Sequence, residues 1–399
     1  MISLDSYSTF VVASLVLLLG RKLVAYLDIL RAYSVPEPVI GGLVAALLLF
    51  GVHSASGQGI RFDASLSTPL MLAFFASIGL NADLASLRRG GRPLLVFLAV
   101  VVGLLVMQNT LGLVLAKLLG LDPLFGLLAG SITLSGGHGT GLAWGAVFSE
   151  KYGLTSAPEL ALACATFGLV LGGLIGGPVA RFLATKVKPA EAASETSDPG
   201  AFEEPGAVRL ITAPALIETL ALFSVCLLLG QQMAEALKGS ALELPSFVCV
   251  LFVGVLLRNV LAALGWYVVF ERCVSVLGNV SLSLFLAMAL MSLRLWELAA
   301  LALPMLVLLA SQAGLMAAYA IFVTFNVMGR NYDAAVIAAG HCGFGLGATP
   351  TAIANMQAVT ERFGPSHVAF LIVPMVGAFF IDITNALTIK LFLALPFLR

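Results

Sequence analysis

Hydrophobic positions in this chain fall in long charge-free runs rather than in alternating stripes. The runs 38–60, 64–82, 93–116, 160–180, 273–293 and 298–329 approach or exceed the about 20 apolar residues that a helix needs to cross a bilayer. Shorter or charge-interrupted runs at 6–27, 212–229, 244–264 and 368–395 bring the expected crossings to ten.

Two further charge-free runs, 123–149 and 334–360, are of a different kind. Glycine breaks both, in SGGHGTG at 135–141 and in GHCGFGLGATPT at 340–351. Glycine is about 1 kcal/mol less favourable than alanine in a helix. Irregular backbone at membrane depth is tolerated only where it is buried in protein or lines a cavity. Both runs therefore read as re-entrant hairpins, and such a matched pair marks a transporter's binding site. The competing reading is a pair of kinked, tightly packed helices.

An offset of 211 residues relates the two runs, carrying Asp122 onto Asp333, Glu150 onto Glu361, Lys151 onto Arg362 and Gly153 onto Gly364. It also aligns Phe74 with Phe285 and Pro93 with Pro304. Between the halves, 184–209 contains EAASETSDPGAFEEPG and reads as a disordered linker. Residues 1–183 and 210–399 then each hold five crossings and one hairpin, and an odd number of crossings inverts the second half. The expected fold is an all-α integral membrane protein with ten transmembrane helices in two inverted five-helix repeats.

Composition agrees. The 399 residues are 60% hydrophobic and 11% charged, with a mean hydropathy of +1.04, whereas soluble domains carry roughly 25% charged residues. Net charge is zero, which offers no basic surface to nucleic acid. The five cysteines lack metal-ligand spacing and read as packing residues. The N-terminal segment has neither a basic start nor a cleavage site, so no signal peptide is expected. Basic residues such as Arg21, Lys22, Arg31, Arg88, Arg89, Arg92 and Arg181 gather in alternate loops. The positive-inside rule then puts both termini outside, the linker in the cytoplasm, and the hairpins entering from opposite faces.

Candidate chemistry lies at the glycine breaks. Thr349 before Pro350 reads as an N-cap followed by a first-turn proline, so a helix starts at the tip of the second hairpin. Gly137, His138, Gly139 and Thr140 hold the matching place in the first. Two opposed helix N-termini present free N–H groups and positive dipole ends, a cradle for one or two carboxylates. Thr351 and Asn355 follow on the same helix as Thr349. Asp382 is the carboxylate inside the last crossing, with Asn385 one helical step away. It requires a Na⁺, a substrate ammonium, a proton, or a basic partner such as Lys390. Ser135 and the adjacent amides Gln108 and Asn109 are further Na⁺ candidates, or helix-to-helix hydrogen bonds. His341, Glu218, Arg258 and the stripe Gly168, Gly172, Gly176 read as packing.

Several segments resemble one family. ITLSGGHGTG, AAGHCGFGLGATPTAIANMQA, TERFGPSH, MVGAFFID, CATFGLVLGGLIGGPVAR and the PEPV at 36–39 are similar to the bacterial glutamate:Na⁺ symporters, and the resemblance runs essentially end to end. It implies Na⁺-coupled glutamate uptake at the inner membrane without a cofactor. The family's similarity to 2-hydroxycarboxylate transporters implies a dimer in which a transport domain moves like an elevator against a scaffold. The family's loop glycines map onto Gly136, Gly137 and Gly139, and onto Gly343, Gly345 and Gly347. Alternatives are H⁺-coupled transport of another dicarboxylate or hydroxycarboxylate, and a channel. An intramembrane enzyme is disfavoured because neither HExxH nor GxSxG occurs.

Overall fold

A computed structural model describes residues 2–28, 30, 36–56, 60–63, 65–185, 187, 210–240, 243–291 and 302–396. The expected linker at 184–209 lies almost wholly outside these residues, as does the side chain of His53. The described chain is helical apart from one short parallel pair, β1 (Ile2–Ser3) with β2 (Ile60–Arg61).

The first half runs α1 (Ser6–Tyr26), α2 (Glu37–Ser56), α3 (Ser67–Asn81), α4 (Ala85–Leu118), α5 (Pro123–Leu127), α6 (Gly137–Tyr152) and α7 (Ala157–Ala184). The second runs α8 (Ala213–Leu237), α9 (Ser246–Leu264), α10 (Glu271–Met291), α11 (Ala302–Tyr319), α12 (Phe325–Val327), α13 (Tyr332–Leu346), α14 (Thr349–Phe363), α15 (His367–Met375) and α16 (Ile381–Leu393). Seven helices among the described residues are long and apolar enough to cross a membrane, and α15 with α16 is an eighth candidate bent by 47°. Helix α3 has 15 residues, which at about 1.5 Å per residue falls short of the roughly 30 Å hydrocarbon core.

Local sequence explains the ends. Asp122 caps α5 by accepting from Leu124 N–H, with Pro123 in the first turn, and Asn331 caps α13 by accepting from Ala334 N–H. The repeat alignment had paired Asp122 with Asp333. In the second hairpin the cap falls two residues earlier, and Asp333 instead accepts from Ser366. Gly91, at φ 61°, breaks α4 just ahead of Pro93.

The helices pack into two groups. One contains α1, α2, α3, α8, α9 and α10; the other contains α4 to α7 and α11 to α16. Packing is dense within each group. Between them it is sparse, at α6 against α10, α16 against α9, and the turn Val376–Phe380 against α3. Both hairpins lie in the second group, where α13 and α14 pack on α7. The glycine stripe on α7 is what admits them. A Cβ at Gly168 would lie 2.2 Å from the Leu346 carbonyl oxygen, and one at Gly176 would lie 2.0 Å from Asn355 Nδ2.

Candidate functional site

The two glycine breaks come together. In the first hairpin α5 runs into a π-type turn, Leu128–Ile132, with Gly130 at non-helical φ −98° and ψ −136°. The chain restarts as a helix at Gly137, whose φ of 69° suits glycine. In the second hairpin α13 ends at Leu346 and α14 begins at Thr349. Ser135 Oγ lies 3.2 Å from the Gly345 carbonyl oxygen, and a Cβ on Gly137 would be 3.6 Å from that of Gly347. Both tips line one cleft of about 590 Å³ between the two helix groups.

Among the sequence-derived candidates, Ser135, Gly137, His138, Gly139, Thr349, Thr351 and Asp382 line the cleft. His138 Nε2 is 3.1 Å from Thr166 Oγ1, which orients the ring. Thr351 is 3% exposed and its hydroxyl has no protein partner. Thr349 does not cap α14: its hydroxyl donates to the Gly377 carbonyl at 2.7 Å, the cap position belongs to Ala348, and Pro350 follows in the first turn. The contact joins the second tip to the bend before α16.

The other candidates are buried and are not part of the lining. Gln108 Nε2 donates to the Gly345 carbonyl at 2.8 Å, and its Oε1 accepts from Ser135 at 2.8 Å. Asn109 Oδ1 accepts from Ser131 N–H at 3.0 Å. Asn385 was expected to share a ligand with Asp382. It instead exchanges two bonds with Ser131, one from Ser131 Oγ at 2.6 Å and one to the Ser131 carbonyl at 2.9 Å. Asn355 donates to the carbonyls of Gly172 and Ala339 at 2.9 and 3.3 Å. Thr140 is buried and is not part of the lining. Asn355 thereby ties α14 to α7 and α13, whereas one physical reason is common to Gln108, Asn109 and Asn385. A broken helix leaves backbone groups without helical partners, and at membrane depth side-chain amides satisfy them.

Lys390 does not answer Asp382; it donates to the Glu243 carbonyl. Arg258 pairs with Glu271 at 2.6 Å, and Glu218 accepts from Tyr267 at 2.6 Å. His341 is buried, with Nδ1 2.9 Å from Thr324 Oγ1 and its ring packed among Phe97, Tyr319 and Phe344.

Sequence reading missed the opposite wall. Ser275, Asn279 and Ser283 on α10, with Asn81 at the end of α3 and Glu37 at the start of α2, face the tips across the cleft. The signal was present: three polar residues, Ser275, Asn279 and Ser283, recur every four positions along a largely apolar helix.

Comparison with known proteins fits this geometry. Residues 2–365 match the family profile described as Sodium/glutamate symporter. The chain is 66% identical over 397 residues to the sodium/glutamate symporter of Escherichia coli (strain K12), covering 99% of each. It is 56% identical over 389 residues to that of Haemophilus influenzae, covering 97% of this chain and 96% of the relative. Likeness of this extent, in a molecule with several membrane-length helices, establishes that the chain belongs to the sodium/glutamate symporter family, whose members are multi-pass membrane transporters and not enzymes.

Proposed function

We propose that the protein is a Na⁺-coupled symporter that imports glutamate across the bacterial inner membrane by an elevator-type movement. Family membership supports sodium and glutamate as the transported pair. The observation that carries the site is the meeting of two glycine-broken tips in one cleft.

In this reading the chain crosses the membrane ten times. Repeats 1–183 and 210–399 are inverted about a cytoplasmic linker at 184–209. The hairpins near 123–149 and 334–360 enter from opposite faces, and both termini are periplasmic. The hairpin-bearing group is the transport domain, the group of α1–α3 and α8–α10 is the scaffold, and the protein is a homodimer. Sparse packing between the groups supports relative motion.

The substrate carboxylates rest on N–H groups at Gly137 to Thr140 and at the start of α14, with the Thr351 hydroxyl and His138 assisting. Asp382 answers the ammonium group or a coupling Na⁺. Ser135 and unwound carbonyls such as that of Gly345 supply oxygen ligands for Na⁺. Gln108, Asn109, Asn355 and Asn385 act one step back, by holding the broken backbone in register. Coupling requires Na⁺ to complete the substrate site, because a ligand shifts a conformational equilibrium only through its differential affinity for the two states.

Radiolabelled glutamate uptake into proteoliposomes tests this. A Na⁺ gradient at equal pH drives accumulation, and replacing Na⁺ by K⁺ or choline abolishes it. Accumulation driven by a pH gradient without Na⁺ would favour H⁺ coupling instead.

A further inference from the structure

An apolar pair closes on the first tip from the opposite side of the cleft. Helices α3 and α10 run antiparallel, with Asn81 donating to Ser275 Oγ at 3.0 Å. Further along, a Cβ at Gly278 would lie 2.0 Å from Ser77 Oγ. One more turn brings Phe74 of α3 beside Leu282 of α10, and both line the cleft. A Cβ at Gly139 would lie 2.6 Å from Phe74 Cε1, 3.3 Å from Phe74 Cζ and 3.2 Å from Leu282 Cδ1. The rim of the ring and the leucine methyl thus occupy the room that any side chain at 139 would need. Buried Phe75 braces the ring in an edge contact, with centroids 5.1 Å apart.

Neither Phe74 nor Leu282 offers a hydrogen bond, so the pair recognises hydrocarbon and not charge. A dicarboxylate with one end on the N–H groups of Gly137 to Thr140 brings its adjoining carbon against them. In glutamate that carbon is either the plain methylene C4 or C2, which bears the ammonium. An ammonium there would be desolvated without a partner, against the electropositive rim of the ring.

We propose that Phe74 and Leu282 are a specificity-determining pair, which admits only an unbranched methylene next to the carboxylate held by the first tip. The pair rests on the reading of the cleft as a glutamate site and adds the direction in which the substrate lies. The side-chain carboxylate sits on the first tip, with C4 under the pair. The amino-acid end faces the remaining lining, which includes Asp382 and the Thr351 hydroxyl, 3% exposed and without a protein partner.

The test uses the full chain in proteoliposomes and measures inhibition of radiolabelled glutamate uptake by two analogues. One is 2-methylglutamate; the other is 4,4-dimethylglutamate, which presents a methyl to the pair whichever way its chain twists. For the unmodified protein the C4 analogue inhibits at least about tenfold more weakly, the size of a misplaced methyl in a fitted pocket. Phe74→Ala and Leu282→Ala each narrow that gap about tenfold by tightening the C4 analogue, while the glutamate KM rises a few-fold. Phe74→Leu, which keeps an apolar side chain, keeps the glutamate KM within about twofold of the unmodified value. A purely structural role would weaken both analogues and glutamate together. Equal inhibition by the two analogues, or stronger inhibition by the C4 analogue, overturns the proposal without any substitution. A gap untouched by both truncations, or both analogues altered alike, overturns it as well. Failure of the unmodified protein to take up glutamate with Na⁺ overturns the cleft reading itself, and is distinguished by needing no analogue.

Discussion

Gln108 donates its side-chain amide to the backbone carbonyl of Gly345 at 2.8 Å. The next residue, Asn109, accepts from the backbone N–H of Ser131 at 3.0 Å. Two neighbouring amides on α4 thus reach both hairpins, Gln108 through Gly345 and Ser135 and Asn109 through Ser131, and the register between the tips depends on a single turn of helix. Gln312 extends the arrangement by donating to the Gln108 carbonyl at 2.7 Å. Removing Gln108 takes one buried partner from the Gly345 carbonyl and one from the Ser135 hydroxyl and leaves them their 3.2 Å contact with each other, a loss of about 0.5–1.5 kcal/mol per hydrogen bond. Gln108→Ala should lower the thermal midpoint of the purified protein and reduce glutamate uptake by at least about tenfold. Normal uptake with a normal midpoint would remove Gln108 from the account.

The glycine stripe on α7 makes a prediction of stability. A methyl group at Gly168 would meet the Leu346 carbonyl oxygen at 2.2 Å, whereas nothing lies within 4 Å of the corresponding position at Gly177. Overpacking of this kind costs typically about 1–3 kcal/mol. Gly168→Ala should lower the thermal midpoint and slow transport through displacement of the second tip. Gly177→Ala should leave both unchanged, so similar behaviour of the two variants would contradict the packing described.

Asp382 lines the cleft on the hairpin-bearing side, while its suggested neighbour Asn385 is committed to Ser131. Asp382→Asn should therefore reduce Na⁺-dependent uptake by more than about tenfold, the size of one charge-assisted contact. Unchanged Na⁺-dependent uptake would exclude a role for this carboxylate. Asn385→Ala should act differently, lowering the thermal midpoint along with activity, because it strips partners from broken backbone.

An ionic contact joins the two helix groups among the described residues. Lys151, at the end of α6, meets Glu243 in the loop before α9 at 2.6 Å, and Gly239 N–H donates to the same carboxylate. The hydrogen bond to Lys151 holds Glu243 below its ordinary carboxylate range, and the same bond raises Lys151 above the ordinary lysine value. The contribution of Glu243 is present above the usual carboxylate range and is lost as pH falls through its lowered value. The contribution of Lys151 is present below the usual lysine value and is lost as pH rises through its raised one. At neutral pH the contact is therefore complete. An exposed pair adds little to stability, so its effect belongs to motion between the groups. Lys151→Ala should change the transport rate by a few-fold with an unaltered thermal midpoint. The rate of the unmodified protein should shift toward that of Glu243→Gln as pH falls into the acid range, and a pH profile identical in both would contradict the contact.

Much of this molecule was legible because bilayer physics writes in large letters. Apolar runs marked helices such as Ser246–Leu264 and Glu271–Met291 to within a few residues, and glycine clusters marked where helices break. Harder to read was which polar side chain faces a ligand and which repairs broken backbone. Asn385 and Asp382 sit three residues apart on one helix, yet one is tied to Ser131 and the other lines the cleft. Both look alike in sequence, since an apolar run makes any polar residue conspicuous. Thr349 misled for a related reason: a helix-start pattern identified the helix, but its hydroxyl had a nearer carbonyl to satisfy, that of Gly377. The opposite wall was overlooked because its polar residues are spread along α10 and the end of α3 instead of gathered in a motif.

The central claim is that both tips hold one anion. The most direct measurement is a cryo-electron microscopy structure of the protein with saturating glutamate and Na⁺. The account predicts ligand density in the cleft within hydrogen-bond reach of both Gly137–Thr140 and Thr349–Thr351. Glutamate bound to one tip alone, or elsewhere in the molecule, would contradict it.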